Sequence, residues 1–228
     1  MKIIKTAFAA LIAALICLQP LSAFAATEFS DGVYTFAKTE QNNAIVTDCS
    51  LTDEIIIMPD SVLGYPVVGI GNYTFFSNSF VKDITLPSAV LSIGEYAFAK
   101  NNGLEYVTVP RWCETISDSA FWNSPNVTIR CWYGTAAYNY ALEKDIPYML
   151  LDKILLGDAN GDGNVNINDV TTIQRHIAEF QLLDGLNLFA ADVNGDNKVS
   201  IEDATAIQMY FAEYDTAFPI GQKTDIKR

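Results

Sequence analysis

Two related stretches decide the C-terminal part of this chain: DANGDGNVNIND, from Asp158 to Asp169, and DVNGDNKVSIED, from Asp192 to Asp203. The second copy starts 34 residues after the first. Each copy places oxygen-bearing side chains at loop positions 1, 3, 5, 9 and 12, the spacing by which one tight loop surrounds a hard cation. A single match would also fit an Asp- and Asn-rich surface loop. Two matches in register favour calcium loops, and we predict two bound Ca²⁺ ions.

The loop spacing assigns a ligand to each position. Ca²⁺ prefers about six to eight oxygen ligands, with a backbone carbonyl at position 7 and a water-mediated contact at position 9. Gly163 allows the sharp bend at position 6, and Asn197 replaces it in the second loop as the non-glycine residue that best tolerates a left-handed backbone. The predicted ligands are Asp158, Asn160, Asp162, Asn164, Asn166 and Asp169 in the first loop, and Asp192, Asn194, Asp196, Lys198, Ser200 and Asp203 in the second.

A helix is predicted directly after each loop. Apolar residues recur at 170, 173, 177 and 180 and again at 204, 207, 211 and 214, which is the spacing of one helix face. No helix-like segment precedes either loop, and both loops end in Asp, so these are loop-plus-helix units and not complete EF-hands. Over roughly residues 154–220 the arrangement resembles the type I dockerin.

The resemblance to dockerins implies a partner. Dockerins are calcium-binding modules that attach secreted enzymes of anaerobic bacteria to the cohesins of a cellulosome scaffold. In that family, cohesin contact is concentrated at loop positions 10 and 11 and helix positions 17 and 18. Similarity between the two copies fits a module that binds in two orientations. The implied contact residues are Ile167, Asn168, Gln174, Arg175, Ile201, Glu202, Gln208 and Met209.

The N-terminal segment MKIIKTAFAALIAALICLQPLSAFAA is typical of a secretory signal peptide. Lys2 and Lys5 form a basic region, an apolar stretch follows, and Ala23-Phe24-Ala25 offers a cleavage site. The apolar stretch is short for a membrane span. We therefore predict cleavage after Ala25 and a secreted protein. The formal net charge of −13 argues against nucleic acid or an anionic membrane as a partner, because both require basic surface.

Three cysteines, Cys49, Cys113 and Cys131, remain after the predicted cleavage. An odd number leaves at least one thiol unpaired or joined to another chain. The absence of a CxxC motif and of a nearby histidine argues against a zinc site. A disulfide between Cys113 and Cys131 and a set of buried free thiols are both open.

A 23-residue period runs through the middle of the chain, between Thr27 and about Leu151. Short alternating runs that end at a proline indicate strands, and stacked repeats would align their Ile and Phe residues in ladders. Gly71 and Gly94 are expected at turns with positive φ. The period is carried by Ile70, Ile93 and Ile116, by Phe75, Phe98 and Phe121, and by Pro87 and Pro110.

These Ile-Gly…Ala-Phe units resemble the BspA-type leucine-rich repeat. FSDGVYTFAKTEQNNAIVT is similar to the N-terminal cap of such arrays, and VTIRCWYGTAAYNYALEKDIPYML is similar to their last repeat and closing helix. The resemblance implies a small β-rich solenoid, with a short linker to the dockerin. Trp112, Trp122, Trp132 and Tyr133 lie in the last repeats, where they could face sugar rings or another protein, or pack into the core and cap.

No catalytic constellation is visible in the repeats. The only histidine, His176, lies in the first predicted dockerin helix, so no Ser/His/Asp or Cys/His set is available. The repeat acids fall at different repeat positions, as solvated turn residues do, whereas a glycosidase needs two carboxylates across a cleft. No stretch of catalytic-domain length is left over. We predict that the chain is not an enzyme. The acids are Asp83, Glu95, Glu105, Glu114 and Asp118.

The sequence therefore predicts a multidomain protein in which a β-rich leucine-rich-repeat solenoid is followed by a small all-α calcium-binding dockerin. The predicted function is a non-catalytic cellulosomal role: the dockerin binds a scaffoldin cohesin with calcium, and the repeats recognise a protein or glycan ligand. The alternative is a carbohydrate-active subunit that binds or weakly hydrolyses plant polysaccharide. The predicted boundaries are 1–25 for the signal peptide, 26–151 for the repeats, 152–220 for the dockerin and 221–228 for a C-terminal tail.

Overall fold

The computed structural model describes residues 28–227. The predicted signal peptide lies outside the described residues. The chain divides into two compact units. The first, called the repeat unit below, contains residues 28–131 and 135–148, and the second, called the helical unit, contains residues 132–134 and 149–227. Among the described residues, no helix has the length and apolar character that a membrane span requires.

The repeat unit begins with an antiparallel cap. Strands β1 (Glu28–Ser30), β2 (Tyr34–Lys38) and β3 (Ala44–Cys49) pair in chain order. Alternate side chains such as Phe36 and Val46 are fully buried, which is the pattern of a sheet with one face in the core. The cap implied by the repeat family is therefore present.

Two parallel ladders follow the cap. One joins β3, β6 (Tyr65–Ile70), β8 (Ser92–Ile93) and β10 (Thr115–Ile116), with Ile70, Ile93 and Ile116 in register. Each repeat contributes one short strand to each ladder, which is the arrangement of a stacked-repeat protein. A hairpin with β5 (Ser61–Val62) precedes β6. The other ladder joins β4 (Ile55–Ile57), β7 (Asp83–Thr85), β9 (Tyr106–Thr108) and β11 (Thr128–Cys131).

The predicted phenylalanine ladder is the centre of the repeat core. The rings of Phe75 and Phe98 stack with centroids 5.3 Å apart, and those of Phe98 and Phe121 with centroids 5.1 Å apart. Helix α1 (Ala136–Glu143), capped by the Thr135 hydroxyl, closes the stack through Tyr140, whose ring lies 5.9 Å from that of Phe121. A row of aromatic rings at one repeat position removes a large apolar area from water.

The expectation of positive φ at Gly71 and Gly94 is wrong. Neither residue is among the positive-φ positions; Tyr73 and Tyr96, two residues further along, are. The glycines are needed for close approach between repeats. A Cβ on Gly94 would lie 2.4 Å from Asn72 Oδ1, and one on Gly71 would lie 2.9 Å from the Val46 carbonyl oxygen.

The helical unit contains α2 (Ile167–Ile177), α3 (Gly185–Ala191) and α4 (Ile201–Phe211). Its core shows the 34-residue repeat, because Ala159 and Val193, Val170 and Ala204, and Ile173 and Ile207 are equivalent pairs and all are buried. The predicted apolar helix faces are only half correct. The first two positions of each face are buried, whereas the last two are exposed: Ile177, Phe180, Phe211 and Tyr214.

Strands β12 (Tyr148–Leu155) and β13 (Lys223–Lys227) pair antiparallel across the ends of the helical unit. Leu150 pairs with Ile226, and both are buried. A salt bridge joins Lys153 to Asp225. The helical unit is therefore not purely α-helical, and the segment expected as a tail, 221–228, contains a strand. Cys49 is a buried free thiol, and Cys113 and Cys131 are also buried.

Candidate functional site

The two acidic loops end at the N-termini of α2 and α4, and each ends in a capping box. Asn166 Oδ1 accepts a hydrogen bond from Asn168 N (2.9 Å), and Ser200 Oγ accepts one from Glu202 N (3.1 Å). In return, Asn166 N donates to Asp169 Oδ2 (2.7 Å) and Ser200 N donates to Asp203 Oδ2 (2.8 Å). The residue at loop position 9 is thus the helix N-cap. The sequence analysis missed this role, although a polar residue three positions before an acid is the sequence signal of a capping box.

The first and last acids of the first loop face into the loop. Asp158 accepts hydrogen bonds from Asp162 N (3.1 Å) and Gly163 N (2.9 Å). Asp169 Oδ1 accepts one from Asn160 N (3.1 Å). Backbone N–H groups along the loop thus converge on two carboxylates, and the backbone curls around them. Gly163, with φ of +85°, makes the bend that was predicted for position 6.

The second loop repeats this geometry. Asp192 Oδ2 accepts a hydrogen bond from Asn197 N (3.0 Å), and Asp203 Oδ1 accepts them from Val193 N (2.8 Å) and Asn194 N (3.2 Å). Asn197 has φ of +68°, which confirms the expectation that asparagine takes the left-handed position of the missing glycine.

The side chains at positions 3 and 5 of each loop also accept hydrogen bonds from the loop backbone. Asn160 Oδ1 accepts from Asp162 N (2.9 Å) and Asn194 Oδ1 from Asp196 N (2.9 Å). Asp162 Oδ1 then accepts from Asn164 N, also at 2.9 Å. The structure therefore brings the side-chain oxygens that were predicted as ion ligands together within one hydrogen-bonded turn in each loop.

Burial separates the acids of each loop into two kinds. Asp158, Asp169, Asp192 and Asp203 are buried, whereas Asp162 and Asp196 are exposed. Burial raises the pKa of Asp169, and the neighbouring charges of Asp158 and Asp162 act in the same direction. The Asn160 side chain lowers the pKa of Asp162 by donating a hydrogen bond to its carboxylate.

Three of the four buried loop acids have no basic partner in the described part of the chain. Within residues 28–227, Asp158, Asp169 and Asp203 form no salt bridge with Lys, Arg or His. Buried carboxylates in proteins are normally paired with a cation or bound to a metal. No group of three or more His, Cys, Asp and Glu side chains in that range is arranged to hold a metal alone. A cation here would therefore also require the amide, carbonyl and hydroxyl oxygens of the loop, which is the mixed oxygen set that suits Ca²⁺.

The predicted partner residues lie on the surface of α2 and α4. Ile167 and Ile201 start the two helices and are 60% and 58% exposed, which is unusual for isoleucine. Gln174 and Arg175 lie seven and eight residues after the start of α2, and Gln208 and Met209 lie at the same steps after the start of α4. Seven residues are about two helical turns, so the predicted residues of each helix lie on one face. The other six residues are also exposed: Asn168, Gln174, Arg175, Glu202, Gln208 and Met209.

Two of the repeat acids are held by basic side chains. Asp83 is held by the Arg130 guanidinium through two hydrogen bonds of 3.0 and 2.8 Å. Asp118 forms a salt bridge with Lys144 (2.9 Å). Trp112 and Trp122 are 70% and 54% exposed, so neither belongs to the core.

Two family models match the chain. The model described as BspA type Leucine rich repeat region (6 copies) matches residues 39–128, and the one described as Dockerin type I domain matches residues 156–212. The chain carries BspA-type leucine-rich repeats and a type I dockerin. Both are non-catalytic kinds of module, and the helical unit contains the dockerin. The search of curated proteins found no match.

Solved structures resemble each part. A leucine rich cell surface protein from Faecalibacterium prausnitzii is 26% identical with a TM-score of 0.44; the match covers 47% of this chain and 31% of that one. The chain thus spans about a third of the length of that relative. A chain from a complex of a cohesin with a dockerin from Acetivibrio cellulolyticus, displaying a type I interaction, is 28% identical with a TM-score of 0.28; the match covers 29% of this chain and 94% of that one.

Proposed function

We propose that this protein is a secreted, non-catalytic cellulosome component, in which the dockerin attaches the chain to a cohesin and the repeats recognise a protein or glycan ligand. The observation that carries this proposal is the type I dockerin match over residues 156–212, together with two loop-helix units that repeat the same capping and turn geometry. The Acetivibrio complex, in which a dockerin is bound to a cohesin, supports the choice of partner.

Calcium is the second part of the proposal. The side chains of Asp158, Asn160, Asp162 and Asp169, with the Asn164 carbonyl and Asn166 through water, would hold one ion. Asp192, Asn194, Asp196, Asp203, the Lys198 carbonyl and Ser200 would hold the other. A divalent cation would offset the negative charge that burial and mutual repulsion concentrate in each loop. Because Asp169 and Asp203 also complete the capping boxes, metal binding and helix formation would be coupled.

The cohesin would bind the exposed face that begins at Ile167 and Ile201. The first set is Ile167, Asn168, Gln174 and Arg175, and the second is Ile201, Glu202, Gln208 and Met209. The two sets share the isoleucine and the glutamine but differ in charge, which favours one orientation of the module over the other. Exposed isoleucines at the centre of such a face provide the apolar anchors that interfaces need.

Calorimetry with a type I cohesin tests the proposal. We expect the intact chain to bind a cognate cohesin in calcium and to lose binding in EDTA, with recovery on adding calcium back. A chain with Asp169→Asn and Asp203→Asn keeps a side-chain oxygen at each helix start but lacks the charge, and it should not recover. Binding of equal strength in calcium and EDTA would contradict the calcium requirement. The absence of binding to every type I cohesin tested would contradict the choice of partner.

A further inference from the structure

Four exposed or half-exposed aromatic rings form a row on the loops of the repeat unit that follow β6, β8 and β10. Phe76 meets Tyr73 edge-on with centroids 5.4 Å apart, Tyr73 stacks on Tyr96 at 5.3 Å, and Tyr96 meets Trp122 edge-on at 6.1 Å. Tyr73 is 52% and Trp122 54% exposed. The row advances by about one ring per repeat, and we call it the aromatic row.

Two tyrosines of the aromatic row occupy backbone positions that bulky residues avoid. Tyr73 has φ of +63° and Tyr96 has φ of +54°, where Gly or Asn would be less strained. Neither side chain is buried in the core. Residues held in such conformations cluster at binding sites. The loops are also tied from repeat to repeat, by hydrogen bonds from Tyr73 N to Glu95 O (3.0 Å) and from Lys100 N to Trp122 O (2.9 Å).

One cation lies within the aromatic row. Lys100 Nζ is 5.3 Å from the centroid of the Phe76 ring and 5.5 Å from that of Trp122. Lys100 is exposed and forms no salt bridge within the described part of the chain. An ammonium group without a salt bridge beside exposed rings offers a carboxylate of a ligand one local point of attachment.

We propose that the aromatic row binds an acidic polysaccharide, with the C–H groups of uronate rings packing against the exposed parts of Tyr73, Tyr96 and Trp122 and a uronate carboxylate pairing with Lys100. A uronate ring presents an apolar C–H face and a carboxylate on one sugar, so a single residue of the ligand satisfies both features of the site. An acidic peptide without apolar side chains, such as poly-L-glutamate, satisfies only the charge, and a neutral glycan satisfies only the rings. This inference rests on the proposed function, in which the repeats recognise a ligand, and it names the class of that ligand.

Titration of the intact mature protein in calcium with short galacturonate oligomers tests the inference, since short oligomers do not form calcium gels. We expect binding to the galacturonate oligomers, weaker binding to cello-oligosaccharides and none to poly-L-glutamate. Tyr73→Ala and Trp122→Ala should each weaken galacturonate binding about five- to tenfold. Lys100→Gln should weaken it about threefold and leave the weak binding of the neutral oligomer unchanged.

Trp112→Ala is the matched control, because Trp112 is also an exposed tryptophan and lies in the loop between β9 and β10. This variant should bind as the parent chain does. Should Trp122→Ala fold poorly, fluorescence provides a second measurement: the emission change on adding galacturonate should persist in Trp112→Phe and disappear in Trp122→Phe. No galacturonate binding, equal binding of neutral and acidic oligomers, or binding of poly-L-glutamate would each overturn the inference. Cohesin binding by the same samples reports separately on the dockerin, so the two proposals fail independently.

Discussion

The two units of this protein are stabilised by different means. The core of the repeat unit is built from aligned apolar side chains such as Phe75, Phe98 and Phe121. The core of the helical unit is small, and four carboxylates are buried beside it. Burying charge costs free energy unless a partner offsets it. We therefore expect the calcium concentration to control the stability of the helical unit and to leave the stability of the repeat unit unchanged.

Removal of calcium should have the largest effect and should distinguish the helical unit most clearly from the repeat unit. We expect EDTA to abolish amide protection in α2 and α4 and to leave the strands of the repeat unit protected, because the helical unit buries Asp158, Asp169 and Asp203 without a basic partner among the described residues. Hydrogen exchange with mass spectrometry on the full chain measures both units in one sample. Full protection of α2 and α4 in EDTA would show that the helical unit does not depend on metal.

Truncation of the central ladder ring should produce the opposite pattern. Phe98→Ala removes a fully buried ring between Phe75 and Phe121 and should destabilise the repeat unit by about 3–5 kcal/mol. Thermal unfolding with and without calcium provides the measurement. Cohesin affinity should be unchanged, and Trp112→Ala, which removes an exposed ring, should have little effect on stability. A loss of cohesin affinity in Phe98→Ala would mean that the two units are not independent.

The two helix faces offer a comparison within the helical unit. Against a cognate cohesin, Ile167→Asp with Arg175→Glu should weaken binding by about 2 kcal/mol or more, and by more than Ile201→Asp with Met209→Glu. Calorimetry on both double variants, with calcium binding checked first, measures the difference. Equal small losses, with binding abolished only in the quadruple variant, would indicate two equivalent orientations. No loss in either variant would remove these residues from the interface.

The smallest predicted effect separates metal binding from capping. Asp158→Ala removes a buried carboxylate to which two backbone N–H groups donate, and should reduce calcium affinity at least about tenfold. Asn166→Ala removes the helix cap and should cost about 1 kcal/mol of stability with a smaller change in calcium affinity. Calcium titration and thermal unfolding of each variant distinguish the two. Equal losses of affinity would show that Asn166 contributes to the ion directly.

Much of the candidate site was predictable because its geometry is local. Loop positions 1, 3, 5 and 12 lie within twelve residues, and Gly163 and Asn197 adopt the backbone bend that was predicted for position 6. The capping role of Asn166 and Ser200 was equally readable, since each lies three residues before an acid at a helix start. The burial of Asp169 could not be read in the same way, because it depends on how both helices pack around the loops.

For the fold, the sequence by itself determined the 23-residue ladder and the paired loop-helix units, because each repeats at a regular spacing along the chain. The closing helix does not repeat, and its prediction came from the resemblance of residues 127–150 to the end of such arrays. Only the tertiary structure decided how distant segments meet. Gly94 is required because its backbone passes against Asn72, β13 exists because Ile226 meets Leu150, and Ile177 and Phe180 stay exposed because the packed part of α2 ends before them. Periodicity specifies which side chains share a face. Whether another part of the chain covers that face depends on contacts between residues far apart in sequence, which no local pattern records.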